Sequence, residues 1–231
     1  MANTGPAQNI AKLARKTIVG DFDGLLETGQ FADLVIVCKE REWKVHKAIV
    51  CPQSMYFMRA CTGGFAEAEL GRIDLSCDDE DVLDTLITYL YYGEPTFNSW
   101  DFEDVDEEAQ LSNITACEGP VHLLKVHVLA DKYHVDRLAS FAADRFMELV
   151  DNLKYCKDFA AWLIAVQEGT APASSLRPKI YNLVLDNMEA LLTVGGGKYA
   201  EAVTAFKAAL VRCPEFAVSV MLPHVEALHA D

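Results

Sequence analysis

Apolar positions change their spacing several times along the chain. Leu34, Ile36 and Cys38 alternate with Asp33, Val35 and Val37, and most of the second set is apolar too. Such a run predicts a strand covered on both faces. The polar Lys39-Glu40-Arg41 then interrupts it, and Trp43 and Val45 mark a second strand, so the pair predicts a β-hairpin. Helical spacing follows. Lys47 to Cys51 and Ser54 to Cys61 read as two short helices divided by Pro52, with Ser54 as N-cap of the second and Gly63-Gly64 as its end. Arg72 to Leu75 reads as a short strand. Asp78 to Asp81 opens a helix with acid at the positive end of its dipole. Its apolar stripe is Val82, Leu83, Leu86, Ile87, Leu90 and Tyr91, and Gly93 and Pro95 end it.

Residues 94–118 hold eight acidic side chains and no basic one, which predicts a solvated loop. Phe97, Trp100 and Phe102 within it are expected to pin it to the body, the alternative being an acidic-aromatic docking segment. Helix resumes at Val121 with Leu124 and Val128, and a second stripe runs through Leu138, Phe141, Ala142, Phe146, Leu149 and Val150. Phe159, Leu163 and Val166 mark another helix. Leu176 to Leu191 reads as one more, capped near Ser174 or Ser175. Gly195-Gly196-Gly197 is a flexible link to the helix of Tyr199, Val203, Phe206 and Leu210, and Pro214 and Pro223 divide the end into two short pieces. Residues 1–22 are polar with a weak stripe at Ile10, Leu13 and Ile18. A few strands with helices segregated around them define an α+β fold, and no repeat interrupts it.

Length and composition narrow the function. The chain has 231 residues, 51% of them hydrophobic and 24% charged, which fits one large domain or a domain with an appendage and excludes global disorder. Its net charge is −15. A nucleic-acid binder needs a basic footprint, and anionic membranes repel acidic chains, so neither direct nucleic acid nor a membrane is an expected partner. The longest apolar run, Phe159 to Val166, is far short of a bilayer span. The first residues carry no apolar secretory core, and Ala2 breaks the myristoylation pattern. Seven cysteines without C-x-x-C spacing (Cys38, Cys51, Cys61, Cys77, Cys117, Cys156, Cys213) are expected as free, mostly buried thiols. These features predict an intracellular protein, cytoplasmic or nuclear and not secreted, whose sequon at Asn113 carries no glycan.

Several motifs then fall into register. Ala32-Asp33-Leu34 lies on the first strand, and Trp43-Lys44-Val45-His46-Lys47 leaves the second. Ser54-Met55-Tyr56-Phe57 opens a helix. Phe65-x-Glu67, Ile73-Asp74-Leu75, Leu86 to Gly93 and Leu129-Ala130-Asp131-Lys132-Tyr133 follow in order, with Val135 and Leu138. This series resembles the BTB/POZ family over residues 23–150, most closely fungal members with a helical tail and without zinc fingers or Kelch repeats. The resemblance implies a domain organisation of 1–22 as a partly flexible N-terminal segment and 23–150 as the BTB/POZ domain with 94–118 as an acidic insertion. Residues 151–231 form an all-helical C-terminal extension. It implies a short β-sheet capped by a cluster of helices.

The resemblance assigns residue roles that are mostly structural. His46, Ser54, Tyr56, Phe57, Asp131 and Tyr133 are signature positions, with His46 expected as a satisfied fold histidine and Tyr56, Phe57 and Tyr133 in the core. Asp33 and Lys47 match acidic and basic positions that line a charged pocket near the dimer interface of some members. The alternative is that the pair only orders the hairpin and first helix. Family dimers pair through the N-terminal segment and first helices, so Leu25, Leu26, Phe31, Ile49, Met55 and Met58 form a candidate homodimer face. The competing possibility is that the helical tail covers that face. Many members are substrate adaptors of cullin-type ubiquitin ligases, often with an apolar-x-acid motif. At the matching place, His122-Leu123-Leu124, the acid is missing. A transcriptional co-regulator recruited through another protein is a third possibility.

Catalytic patterns are absent. Gly195-Gly196-Gly197-Lys198 is followed by Tyr199 where a phosphate loop needs Ser or Thr. There is no G-x-S-x-G elbow and no H-E-x-x-H, and His224-Val225-Glu226 lacks its cysteine partners. The sequence therefore reads as a non-enzymatic interaction module with no cofactor and no metal.

Overall fold

The computed structural model describes residues 23–64, 66–93, 115–193 and 200–228. Expectations for 1–22, Phe65, the aromatic residues of the acidic segment and the triple glycine lie outside the described residues. The chain divides into two compact units, Met1–Ser99 with Leu129–Ala139, and Trp100–Val128 with Ser140–Asp231.

The first unit is built on a three-stranded sheet. Strands β1 (Leu34–Cys38) and β2 (Arg41–Val45) pair antiparallel, and β3 (Arg72–Asp74) pairs parallel with β1, giving the order β2-β1-β3. Ile36 sits opposite Trp43 on one side and Ile73 on the other, and all three are buried, so one apolar row crosses the sheet. Central β1 is apolar throughout because both its faces are covered. Edge strand β2 alternates, with Trp43 and Val45 buried. The hairpin turn is the two residues Lys39-Glu40, shorter than the sequence suggested. Lys39 takes a left-handed φ of 53°, and its N–H donates to Ser76 Oγ at 3.0 Å.

Helix α1 (Asp23–Thr28) precedes the sheet and packs on β2. Between β2 and β3 come α2 (Lys47–Val50), a 3₁₀ turn (Cys51–Gln53), α3 (Met55–Thr62) and α4 (Ala66–Leu70). Ser54 caps α3 as expected, its Oγ accepting from Phe57 N–H at 3.2 Å. Helix α5 (Glu80–Tyr92) starts at Asp79, whose carboxylate accepts from the N–H groups of Asp81 and Val82, and ends at Gly93 with φ 68°. The whole predicted stripe is buried, with Tyr89 added.

Helices α6 (Thr115–Lys132) and α7 (Asp136–Asn152) follow. Residues 115–118, expected in the acidic loop, belong to α6, which carries Pro120 inside it. The lost hydrogen bond at Pro120 is outweighed by burial of Leu123, Leu124 and Val126 one turn later. Between the two helices His134 takes φ 52°. Val135 N–H bonds Ala130 O at 2.8 Å and His134 N–H bonds Asp131 O at 3.1 Å, a Schellman cap with histidine at the glycine position.

In the second unit, helices α8 (Phe159–Gly169), α9 (Leu176–Asp186), α10 (Met188–Thr193), α11 (Ala200–Arg212) and α12 (Pro214–Leu228) pack around Phe159, Leu163, Ile180, Phe206 and Phe216. Arg177 closes the end of α8 by donating to Gln167 O at 2.7 Å and Thr170 O at 2.5 Å. Two boundaries differ from expectation. The single helix over 176–191 is two, broken at Asn187, whose side chain bonds back to Leu183 O at 2.8 Å. The two pieces expected around Pro223 are one helix, because buried Phe216 and Val220 hold the preceding turns. Phe141, expected in the core stripe, is exposed.

Candidate functional site

The signature residues converge inside the first unit. Tyr133 is buried with its ring stacked on Phe57 at 5.8 Å and edge-on to Tyr56 at 4.7 Å. Tyr56 is only half-buried, whereas Phe57 is fully buried. Ser54 links α3 to this site a second time, donating its hydroxyl to Tyr133 O at 2.6 Å. The Tyr133 hydroxyl donates to Asp78 Oδ2, and Lys132 Nζ donates to Asp78 Oδ1 at 2.6 Å. Burial first, then the Asp78 carboxylate, pushes the Tyr133 phenol far above its usual range. The phenol therefore stays protonated and acts as a fixed donor. Asp131 is exposed and contributes its carbonyl to the helix cap.

His46 has both ring nitrogens committed. Nε2 lies 2.7 Å from Gln30 O, a group that only accepts, so Nε2 carries the proton. Nδ1 then accepts from the Tyr91 hydroxyl at 2.6 Å, and the same oxygen accepts from His46 N–H at 2.9 Å. Burial raises the Tyr91 phenol to about 12. The histidine is a cross-brace between the start of α2, the 28–31 turn and α5. It offers no lone pair to a substrate or metal.

Asp33 and Lys47 meet through the main chain. The exposed Asp33 carboxylate accepts from Lys47 N–H at 2.8 Å and so closes the first turn of α2. No Asp33–Lys47 side-chain ion pair is found among the described residues.

The six apolar positions of the candidate dimer face divide by exposure. Leu25 and Leu26 on α1 and Ile49 on α2 are half-buried. Met55 (53% exposed) and Met58 (38%) stand three apart on α3, and so share one side of it. Phe31 is 81% exposed and holds a left-handed φ of 63°. A bulky residue there costs on the order of 1–2 kcal/mol.

Sequence reasoning missed Asp78, Tyr91 and Gln30. Asp78 sits in a run of four acids whose capping signal is met by Asp79 instead, and Gln30 contributes only a backbone carbonyl. Among the described residues no group of three or more His, Cys, Asp or Glu is arranged to hold a metal ion, and no helix is long and apolar enough to cross a membrane.

Comparison with known proteins agrees with this geometry. The BTB/POZ domain model matches residues 22–144. The human Kelch repeat and BTB domain-containing protein 4 is 28% identical over 91 residues, 39% of this chain and 17% of that protein. The zebrafish (Danio rerio) Kelch-like protein 24a is 23% identical over 155 residues, 61% of this chain and 26% of that protein. Protein abrupt of Drosophila melanogaster is 26% identical over 118 residues, 51% of this chain and 11% of that protein. The chain thus spans about a quarter or less of these relatives' length. The matched segment holds the sheet, the Tyr133 site and the His46 brace together, and the chain belongs to the BTB/POZ domain family of protein-interaction modules.

Proposed function

We propose that the chain is a non-enzymatic scaffold that self-associates through the apolar face of its first unit. Phe31 carries the reading. A large aromatic side chain is held almost fully in water, on a backbone conformation that costs energy in the isolated chain. Burial against a second copy would recover that cost, and Met55 and Met58 supply further exposed apolar surface on the same unit. Light scattering behind a sizing column, over a dilution series, tests the proposal. The expected mass is twice 25.5 kDa for the natural chain. Phe31→Gly relieves the backbone strain while removing the aromatic ring, so it is expected to fold and to shift towards monomer. A mass of 25.5 kDa at every concentration, or a variant as dimeric as the parent, overturns it.

A cullin-adaptor role is the second reading, and a buried motif site weighs against it. Leu123 and Leu124 are buried within α6, so residues 122–124 present no exposed apolar-x-acid motif. Pull-down with a purified cullin N-terminal region is expected to show no micromolar binding.

A further inference from the structure

We infer that Met55 and Met58 form a peroxide-sensitive modification site, whose conversion to methionine sulfoxide releases the self-association of the first unit. The site stands on exposure and helix geometry, and its effect on association rests on the reading above. The two side chains lie three residues apart on α3 and share one side of it, at 53% and 38% exposure. Between them in the chain, Phe57 is fully buried and commits the opposite side of the helix to the core. Ser54 fixes the start of α3 twice, its Oγ accepting from Phe57 N–H at 3.2 Å and donating to Tyr133 O at 2.6 Å. The helix is pinned from inside, so both methionines are held at the surface. Met188 on α10 is the contrast, at 7% exposure. Met221 on α12 is also exposed, but it belongs to the second unit. Access therefore ranks Met55, Met58 and Met221 ahead of Met188 as targets of a small oxidant.

Hydrogen peroxide supplies the oxygen. The thioether sulfur attacks one peroxide oxygen with a lone pair. The S–O bond forms as the O–O bond breaks, and the second oxygen leaves as hydroxide, which takes the proton from the transferred oxygen and departs as water. Sulfur loses two electrons and the peroxide gains them. At an exposed position the new S=O group is met by water, so the isolated unit keeps its fold. In an association face the same group must shed that water. Sulfoxide turns an adaptable apolar surface into a polar acceptor, and burying it without a donor is costly. A two-fold dimer takes two such side chains from each copy. The dissociation constant is therefore expected to rise at least about tenfold. Association in turn covers the two sulfurs, so oxidation proceeds through the monomer.

The full chain is treated with graded hydrogen peroxide at a dilution that populates the monomer, then quenched with free methionine. Tryptic mass spectrometry reads the site, and light scattering behind a sizing column reads the association. Peptide 48–59 holds both methionines and is expected to gain an oxygen on each, placed by fragment ions, before peptide 180–198 gains one on Met188. As those oxygens appear the mass is expected to fall from twice 25.5 kDa towards 25.5 kDa, with the urea midpoint of the first unit unchanged. Met55→Leu combined with Met58→Leu keeps apolar volume and removes both thioethers. That variant is expected to remain dimeric in peroxide while Met221 and the cysteines are oxidised as before. Oxidation of Met55 and Met58 no faster than that of Met188 overturns the site itself. A chain carrying both sulfoxides with an unchanged dissociation constant overturns the switch and leaves the association reading standing, as does a double-leucine variant that peroxide dissociates equally well. An untreated chain that is monomeric throughout overturns the association reading, and the switch with it.

Discussion

The contact between Tyr133 and Asp78 tests whether the signature tyrosine acts as a fixed hydrogen-bond donor or merely as a core ring. Its ring is fully buried between Phe57 and Tyr56, and its hydroxyl meets an Asp78 side chain that is only 11% exposed. Tyr133→Phe keeps the ring and deletes the donor. A hydrogen bond to a charged acceptor contributes about 1.5–3 kcal/mol, and the low end applies because Lys132 still holds the other carboxylate oxygen. Asp78→Ala deletes the same bond, strands a buried hydroxyl, and removes an exposed ion pair of about 0–1 kcal/mol, for a total of roughly 2–4 kcal/mol. In the double variant the stranded hydroxyl is gone, so the expected loss stays near that of Asp78→Ala alone. The coupling is therefore at least about 1 kcal/mol. Urea unfolding followed through Trp43 measures it, with Trp100 and Trp162 replaced by Phe, since Trp43 is buried in the same unit. Single losses that add to within about 0.5 kcal/mol would refute the donor role.

Three further outcomes follow from the same geometry. His134→Gly should raise stability by roughly 0.5–1 kcal/mol, because the exposed histidine occupies the left-handed position of a cap that glycine enters without strain; an unchanged urea midpoint would count against it. Gly29→Ala should cost about 2 kcal/mol in the same assay, since φ is 61° and the added Cβ would lie 2.8 Å from Lys44 Cβ. A loss below about 0.5 kcal/mol would show that the turn relaxes freely. Alkaline titration should couple to unfolding. The folded phenols of Tyr91, near 12, and Tyr133, higher still, lie above the unfolded value of about 10. Their contribution is full below pH 10 and is lost as pH rises from 10 through 12, because the unfolded chain releases those protons first. Phenolate absorbance from these two groups should appear together with the loss of Trp43 burial.

The elements legible in the sequence are those whose burial pattern matches their period. The run 34–45 and the stripe of α5 have that property, and both lie where expected. The errors have physical causes. Pro223 suggested a break because proline removes one hydrogen bond, but buried neighbours outweigh a single lost bond, and the acidic run carried the expected loop to residue 118, past the start of α6 at Thr115. Lys39, Phe31 and His134 adopt left-handed φ without being glycine, so composition gave no sign of those turns. The Tyr133 site was half legible. Its aromatic trio belongs to recognisable motifs, but Asp78 lies 55 residues away in a loop full of acids, and no local rule singles it out.

A division of labour follows from where the family residues went. His46 is locked by Tyr91 and Gln30, Ser54 by Phe57 and Tyr133, Tyr133 by Asp78, and Asp33 by the start of α2. His46, Ser54 and Tyr133 have their hydrogen-bonding capacity committed inside the unit, so these positions build a frame, to which Asp33 lends one acceptor while its carboxylate stays exposed. Among the described residues, the large apolar side chains that remain exposed on the first unit, Phe31, Met55, Met58 and Leu70, lie outside those hydrogen-bonded networks. Recognition on the proposed reading is therefore assigned to residues whose chemistry is mainly apolar area. Methionine contributes adaptable surface there, and Phe31 contributes an aromatic anchor whose backbone is already fixed before contact. Because the frame does not depend on these side chains, substitutions at Phe31, Met55 and Met58 should alter association and leave the urea midpoint of the first unit within about 0.5 kcal/mol, except where Phe31→Gly raises it.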